Sequence, residues 1–311
     1  MRIRKLPRRG VHRAPATLRG LVRGALSGEA ALATFQREAA AVFRVPHAVA
    51  TGSGRRALTA ILGALPLSPG DTVLLPALTF HAVPTAVAAA GLRPRFGDVD
   101  PETCLLTASA VDDAPDARLV LATHLFGLVC DLDGLRDRCA AREAWLVEDF
   151  AQAAGARWRG RPVGSWGDAG FTSLETVKPL AAFGGGLVTT RDAGLARRVE
   201  ASERALPSPV RRKLVSKVAL GQLEAALADP RVFSLAWPLF SGGADDQRSE
   251  GWIQRYKSRK QGVGNHGARL HPSQAEVGRR GLVHLPEHLA ARRARADELR
   301  GLLGGHATPR V

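Results

Sequence analysis

Between residues 45 and 191, short apolar runs alternate with stretches whose apolar positions recur three and four apart. "HAVATGSG" leads into "RRALTAILGAL", where Leu58, Ile61, Leu62 and Leu65 fall on one helical face. "SPGD" is a turn and "TVLLPA" an apolar run of strand length. "HAVPTAVAAAG" then reads as a helix ending at Gly91, and "RPRFGDVD" as a strand. "ARLVLATHLFG", a helix through "LDGLRDRCAAREA", "WLVEDF", "DAGFTSLE" and "GGLVTT" complete the series. Strands alternating with helices predict an α/β domain with a mostly parallel sheet, covered on both faces. In such sheets ligands bind beyond the carboxyl ends of the strands, so chemistry is sought just after each apolar run.

After residue 191 the pattern changes. "LARRVEASERAL" and "KLVSKVALGQLEAAL" are helical, whereas "DPRVFSLAWPLFSGGADDQRSEG" is broken by Pro and Gly into an irregular excursion. The tail from Pro272 to Leu303 is helical again, with a break expected near Pro286. No internal repeat or low-complexity segment is present.

The 311 residues can bury a sizeable core, and 45% hydrophobic residues is ordinary for a globular chain. No apolar run approaches the ~20 residues that span a bilayer. The basic "MRIRKLPRRG" is followed by no apolar stretch of the secretory type. Cys104, Cys130 and Cys139 have the spacing of neither a disulfide framework nor a zinc site, which fits a cytoplasmic protein with reduced thiols. The formal charge of +15 raises nucleic-acid binding. However, its source is mostly arginine scattered as in "AARRARADELRG", with a single Tyr and no aromatic-basic module. The charge is therefore read as a solvated surface that favours anionic ligands by steering.

Several strand-end residues carry candidate chemistry. Ser53-Gly54-Arg55 precedes a helix, so its N–H groups can face an anion or simply make a tight connection. Arg55 adds a phosphate contact or a surface cation. Asp149 ends "WLVEDF", where a buried carboxylate needs a cation or donors, or else caps a helix. Gln152 serves the same cap or offers its amide to a ligand. His124, after "LVLAT", reads as a hydrogen-bonded core residue, and Phe80, after "LLPALT", reads by itself as core. Lys178 lies five residues after Ser173 and ahead of three consecutive glycines. Desolvated there it would be nucleophilic; otherwise it snorkels to water. An anion pocket, a strand-end acid and a lysine are the parts that pyridoxal 5'-phosphate (PLP) needs for its phosphate, ring nitrogen and aldehyde carbon.

Taken in order, "FQREAAAVFRVPHAVATGSGRRAL", "LSPGDTVLLPALTFHAV", "RPRFGDVDPET", "THLFG", "VEDFAQAAGARWRGRPVGSWGDAGFTSLETVKPL", "GGGLVTT" and "ARLHPSQAEVGRRGL" resemble the DegT/DnrJ/EryC1/StrS family of PLP-dependent aminotransferases. The resemblance implies the fold-type-I large domain, residues 1–262 with an N-terminal arm and the irregular excursion near 205–262. An incomplete helical small domain, 263–311, would follow. It makes Lys178 the cofactor-bearing lysine, Asp149 the partner of the pyridine nitrogen and Gln152 that of the ring hydroxyl. Phe80 would stack on the ring, and Ser53, Gly54, Arg55 and Ser173 would bind the phosphate. No metal is implied.

The implied reaction moves an amino group, with glutamate as donor, to a nucleotide-linked keto-sugar in polysaccharide or natural-product biosynthesis. The implied assembly is a homodimer. Three positions depart from the family pattern: Arg55 stands for a threonine, Gly184 for an acid and Gly267 for an asparagine, with Asn265 out of register. The chain also ends at Val311, ahead of the family's further strands. These departures define the alternative, a PLP-binding member with reduced catalysis or a regulatory role. Dehydration of a sugar is a third PLP reaction, opposed by Lys178, because the dehydratase branch has histidine there.

Overall fold

The computed structural model describes residues 18–208 and 267–302, with 214–216, 218–219 and 222–223 as helical positions between them. Most of the irregular excursion expected near 205–262, Asn265 and the basic N-terminal stretch lie outside the described residues.

The apolar runs form strands β1 (His47–Thr51), β2 (Thr72–Pro76), β3 (Arg93–Gly97), β4 (Ala117–Thr123) and β5 (Trp145–Asp149). Two residue pairs, β6 (Arg157–Trp158) and β7 (Arg161–Pro162), make a small hairpin before β8 (Ala169–Ser173) and β9 (Gly186–Thr190). Seven strands share one sheet in the order β1-β9-β8-β5-β4-β2-β3. Strand β9 runs antiparallel to both β1 and β8, and the other pairings are parallel. Six strands thus end on one edge of the sheet, and β9 begins there.

The helices are α1 (Leu18–Ser27), α2 (Glu29–Phe43), α3 (Gly54–Ala64), α4 (Ala82–Ala89), α5 (Leu132–Ala141), α6 (Ala193–Arg204) and α7 (Pro272–Leu302). Strand alternation divides the core between the two sheet faces. Val73, Leu75, Leu119 and Leu121 meet Leu58 and Ile61 of α3, Val87 of α4 and Val199 of α6. Leu74 and Val120 share the other cluster with Phe35 and Phe43 of α2, Leu135 of α5 and Ala275, Val277 and Leu282 of α7. Cover on both faces is why "RLVLAT" is almost continuously apolar.

The break expected at Pro286 is absent, since α7 continues through it to Leu302. A proline inside a helix costs about 3 kcal/mol. Here the preceding turn is anchored, because Leu282 and Leu285 are buried and Leu285 and Leu289 pack at Gly155. From Ala290 to Glu298 the helix is exposed, and its end carries the i,i+3 ion pairs Arg295–Glu298 and Arg300–Asp297, each at 2.7 Å. Among the described residues, no helix is long and apolar enough to cross a membrane.

Candidate active site

The first loop at the carboxyl edge runs from β1 into α3. Ser53 is the N-cap of α3, its Oγ accepting from the Arg56 N–H at 3.1 Å, and it bridges to Gly185 just before β9. Ser173, the last residue of β8, pairs with Gly186 in the neighbouring strand. A Cβ on Gly54 would lie 2.8 Å from the Ser173 Cβ, so only glycine lets the helix start this close to Ser173. The first-turn N–H groups of a helix have no intrahelical acceptor and attract anions. Here they stand beside a serine hydroxyl. Arg55 is exposed on this turn.

The turn is braced from α6. Buried Glu203 accepts from the Gly52 N–H at 3.2 Å and pairs with Arg56 Nε at 2.6 Å. The Arg56 guanidinium also reaches Ser202 at its carbonyl oxygen (3.2 Å) and Oγ (2.9 Å).

The second feature is a pair of opposite charges, each made costly by burial. Asp149 ends β5, and its Oδ1 accepts from the Ala151 N–H at 3.0 Å. A turn follows it, not a helix, so the helix-cap alternative is set aside. Burial pushes the Asp149 carboxyl above its ordinary range, while the Ala151 N–H and Lys178 pull it back. Lys178 lies in the loop between β8 and β9 and is half-buried. Burial pushes its ammonium down, while Asp149 and Glu175 support the charge. Only six of the 44 basic residues are lysine, and Lys178 is the sole one between Lys5 and Lys213. An arginine there could not give up its proton, whereas a desolvated lysine can.

His124 and Glu148 lie beneath this pair and are fully buried. The His124 backbone N–H donates to the Asp149 carbonyl at 2.9 Å. On its ring, burial opposes a charge and Glu148, 3.2 Å from Nε2, favours one. The N–H of Cys130 points at Nδ1 from 3.2 Å, which needs a lone pair there, so we assign the neutral ring with its proton on Nε2. Glu148 accepts from that proton and from the N–H groups of Gly164 (2.7 Å), Trp166 (2.7 Å) and Gly167 (2.9 Å). Glu148→Gln is expected to lower stability by about 2 to 4 kcal/mol, since an amide NH2 cannot accept from the N–H groups its oxygen served. The shift in urea midpoint measures it.

The remaining candidates are placed less closely. Gln152 Oε1 accepts from the Phe126 N–H at 3.3 Å, which leaves its NH2 for another partner. Phe80 is not core. It lies past the end of β2, is 59% exposed, and stacks only on His81 among the described rings. No hydrogen bond or ring contact among the described residues joins it to Lys178 or Asp149. Sequence reasoning missed Glu148, Glu203 and Gln274. Glu148 alone gave a local signal, a second acid within an apolar strand.

A model of the DegT/DnrJ/EryC1/StrS aminotransferase family matches residues 18–221. The chain belongs to this family. It is 40% identical over 173 residues to the L-glutamine:2-deoxy-scyllo-inosose aminotransferase of Micromonospora echinospora, covering 54% of this chain and 41% of that protein. It is 38% identical over 168 residues to the UDP-N-acetyl-3-dehydro-alpha-D-glucosamine 3-aminotransferase of Acidithiobacillus ferrooxidans, covering 53% and 46%. The match spans less than half the length of either relative. The X-ray structure of the aminotransferase from Psychrobacter cryohalolentis is similar with a TM-score of 0.71 at 25% identity, covering 97% of this chain and 72% of that one.

The family's cofactor is PLP, and the residues present fit it. A buried acid whose charge wants a cation, a lysine that can be neutral, and a helix start pressed against a serine are three separate matches to the ring nitrogen, aldehyde and phosphate.

Proposed function

We propose that the chain transfers an amino group to the carbonyl of a sugar, in its finer form a nucleotide-linked keto-sugar, with glutamate as donor. The Lys178–Asp149 pair carries this reading, two groups of opposite charge each destabilised by burial at the carboxyl edge of the sheet. PLP, when bound, supplies an aldehyde that holds the amino group and a ring that draws electrons from the adjacent carbon.

Asp149 would then pair with the protonated ring nitrogen, which would offset the burial of its carboxylate. The Gln152 NH2, left free by the Phe126 bond, donates to the ring hydroxyl. Ser53, Gly54, Arg55 and Ser173 hold the phosphate, and Phe80 covers the ring. With the cofactor bound, Lys178 Nζ would take the proton from the donor's amine-bearing carbon and deliver it to the cofactor's aldehyde carbon, as a depressed ammonium pKa allows.

A second reading is favoured by the 40% identity to an enzyme named for glutamine and 2-deoxy-scyllo-inosose. In it the donor is glutamine and the acceptor a cyclic polyol ketone without a nucleotide. For either acceptor we place the protein in the cytoplasm as a homodimer. Leu78, Phe80 and Phe126, exposed at the edge where the site lies, support a surface that a second copy covers.

An absorbance titration tests the reading. Added PLP should give a visible band that glutamate or glutamine converts to a shorter wavelength, and the more effective donor chooses between the two readings. A band that no amino donor alters would leave a binding-only member, and no band would overturn the proposal.

A further inference from the structure

The loop that carries Lys178 is closed at its neck by backbone bonds. Leu174 donates to the Gly185 carbonyl at 2.9 Å, and Ala182 and Gly184 both donate to the Leu174 carbonyl, at 2.8 and 2.9 Å. Its end is conformationally costly. Phe183, Gly184 and Gly185 have φ of 55, 105 and 104°, three consecutive residues in the left-handed region, and the first is not glycine. The carbonyls of Ala182, Phe183 and Gly184 precede β9 and join no strand ladder, and buried carbonyls need partners.

Gln274, in the first turn of α7, supplies them. Its Nε2 lies 3.3, 3.1 and 3.2 Å from the carbonyl oxygens of Ala182, Phe183 and Gly184. Its Oε1 accepts from the His271 N–H at 3.2 Å, which fixes the direction of the amide, and the residue is buried. Leu270 packs at Gly185, where any Cβ would overlap it. Residues 179–184, between Lys178 and the grip, are all buried, so a displacement at one end has little room to be absorbed before the other.

We propose that Gln274 is a positioning residue for Lys178, fixing the far end of its loop and so the place of the amine opposite Asp149. The proposal rests on the reading of Lys178 as the cofactor-bearing residue. Gln274 is uncharged, so it can alter the titration of Lys178 only by moving it or admitting water. The charged groups that act on Lys178 are Asp149 from β5 and Glu175 from its own loop, and neither is changed by the substitutions below.

The test uses the whole chain without cofactor. Competitive acetylation across pH, read by peptide mass spectrometry, reports Lys178 separately from the other five lysines. Gln274→Met keeps length but removes the donors, and Gln274→Asn keeps the donors but is too short. In both, Lys178 should titrate nearer the ordinary lysine value than it does in the wild type. PLP affinity should fall about 10-fold.

Ser273→Ala is the control. It removes a part-buried bond of the same helix turn, from Oγ to the Leu21 carbonyl at 2.7 Å, and should leave Lys178 unchanged. Wild-type titration in both Gln274 variants would overturn the proposal. So would an equal shift in Ser273→Ala, or failure of both Gln274 variants to fold. Borohydride trapping of PLP on the wild type keeps the two readings apart. No adduct on Lys178 there would refute the cofactor reading, whatever the titrations show.

Discussion

Lys178→Ala should leave a folded chain that no longer traps PLP on borohydride reduction and whose turnover falls by on the order of 10⁴-fold or more. The size follows from losing two roles at once, covalent capture and proton transfer at the reacting carbon. The fold should survive because the bonds closing the lysine's loop are backbone bonds at Leu174, Ala182, Gly184 and Gly185, none of which needs the side chain. Burial already disfavours the ammonium, so its removal should change stability by no more than about 1 kcal/mol. Lys178→Arg sharpens the test. It keeps a cation near Asp149 yet cannot form an imine or release a proton, so it should be as inactive as the alanine variant. Peptide mapping of the reduced adduct checks both, and an adduct or a visible band surviving in either variant would move the assignment to another residue.

Most of the sheet was legible because strands covered on two faces must be apolar nearly throughout, and "TVLLP", "RLVLAT" and "WLVED" are. The carboxyl-edge rule then pointed to Ser53 and Asp149 from position alone, whereas Ser173 came only with the family resemblance. The direction of β9 was not legible. Antiparallel entry depends on the left-handed run Phe183–Gly185, and nothing local in "GGLVTT" distinguishes it from a parallel strand.

Pro286 misled because propensity acts on one turn, whereas Leu282 and Leu285 bury that turn against residues far away in sequence. Phe80 misled for the opposite reason. An aromatic after an apolar run suggests core, but β2 ends at Pro76 and the residue falls in the loop beyond. Gln274 acts on carbonyls about ninety residues earlier in the chain, and no spacing rule reaches that far.

Asp149→Asn should separate the cost of the site from its use. The wild-type carboxylate is buried, and burial raises its pKa against the pull of the Ala151 N–H and Lys178. Asparagine keeps an oxygen for the Ala151 N–H and removes the charge, so the cofactor-free variant should be more stable at pH 7. The sign can be followed with pH. A carboxyl whose folded pKa is raised binds its proton more tightly when folded, so wild-type stability falls as pH rises from the unfolded value, about 3.9, through the folded one. The gain in Asp149→Asn is therefore full above that window and is lost as pH falls below about 3.9, where the wild type becomes protonated in both states.

Activity should move the other way. An amide cannot hold the ring nitrogen in its protonated form, and loss of a preorganised electrostatic partner costs on the order of 10²–10³-fold. Some PLP should still bind covalently, because Lys178 and the Ser53–Ser173 turn are untouched. Thermal unfolding of the cofactor-free proteins at pH 5 and 7, beside single-turnover rates with the amino donor, measures both effects. Near-wild-type turnover with raised stability would mean that Asp149 only completes a turn, and lowered stability would mean that its charge is met by a partner other than the ring.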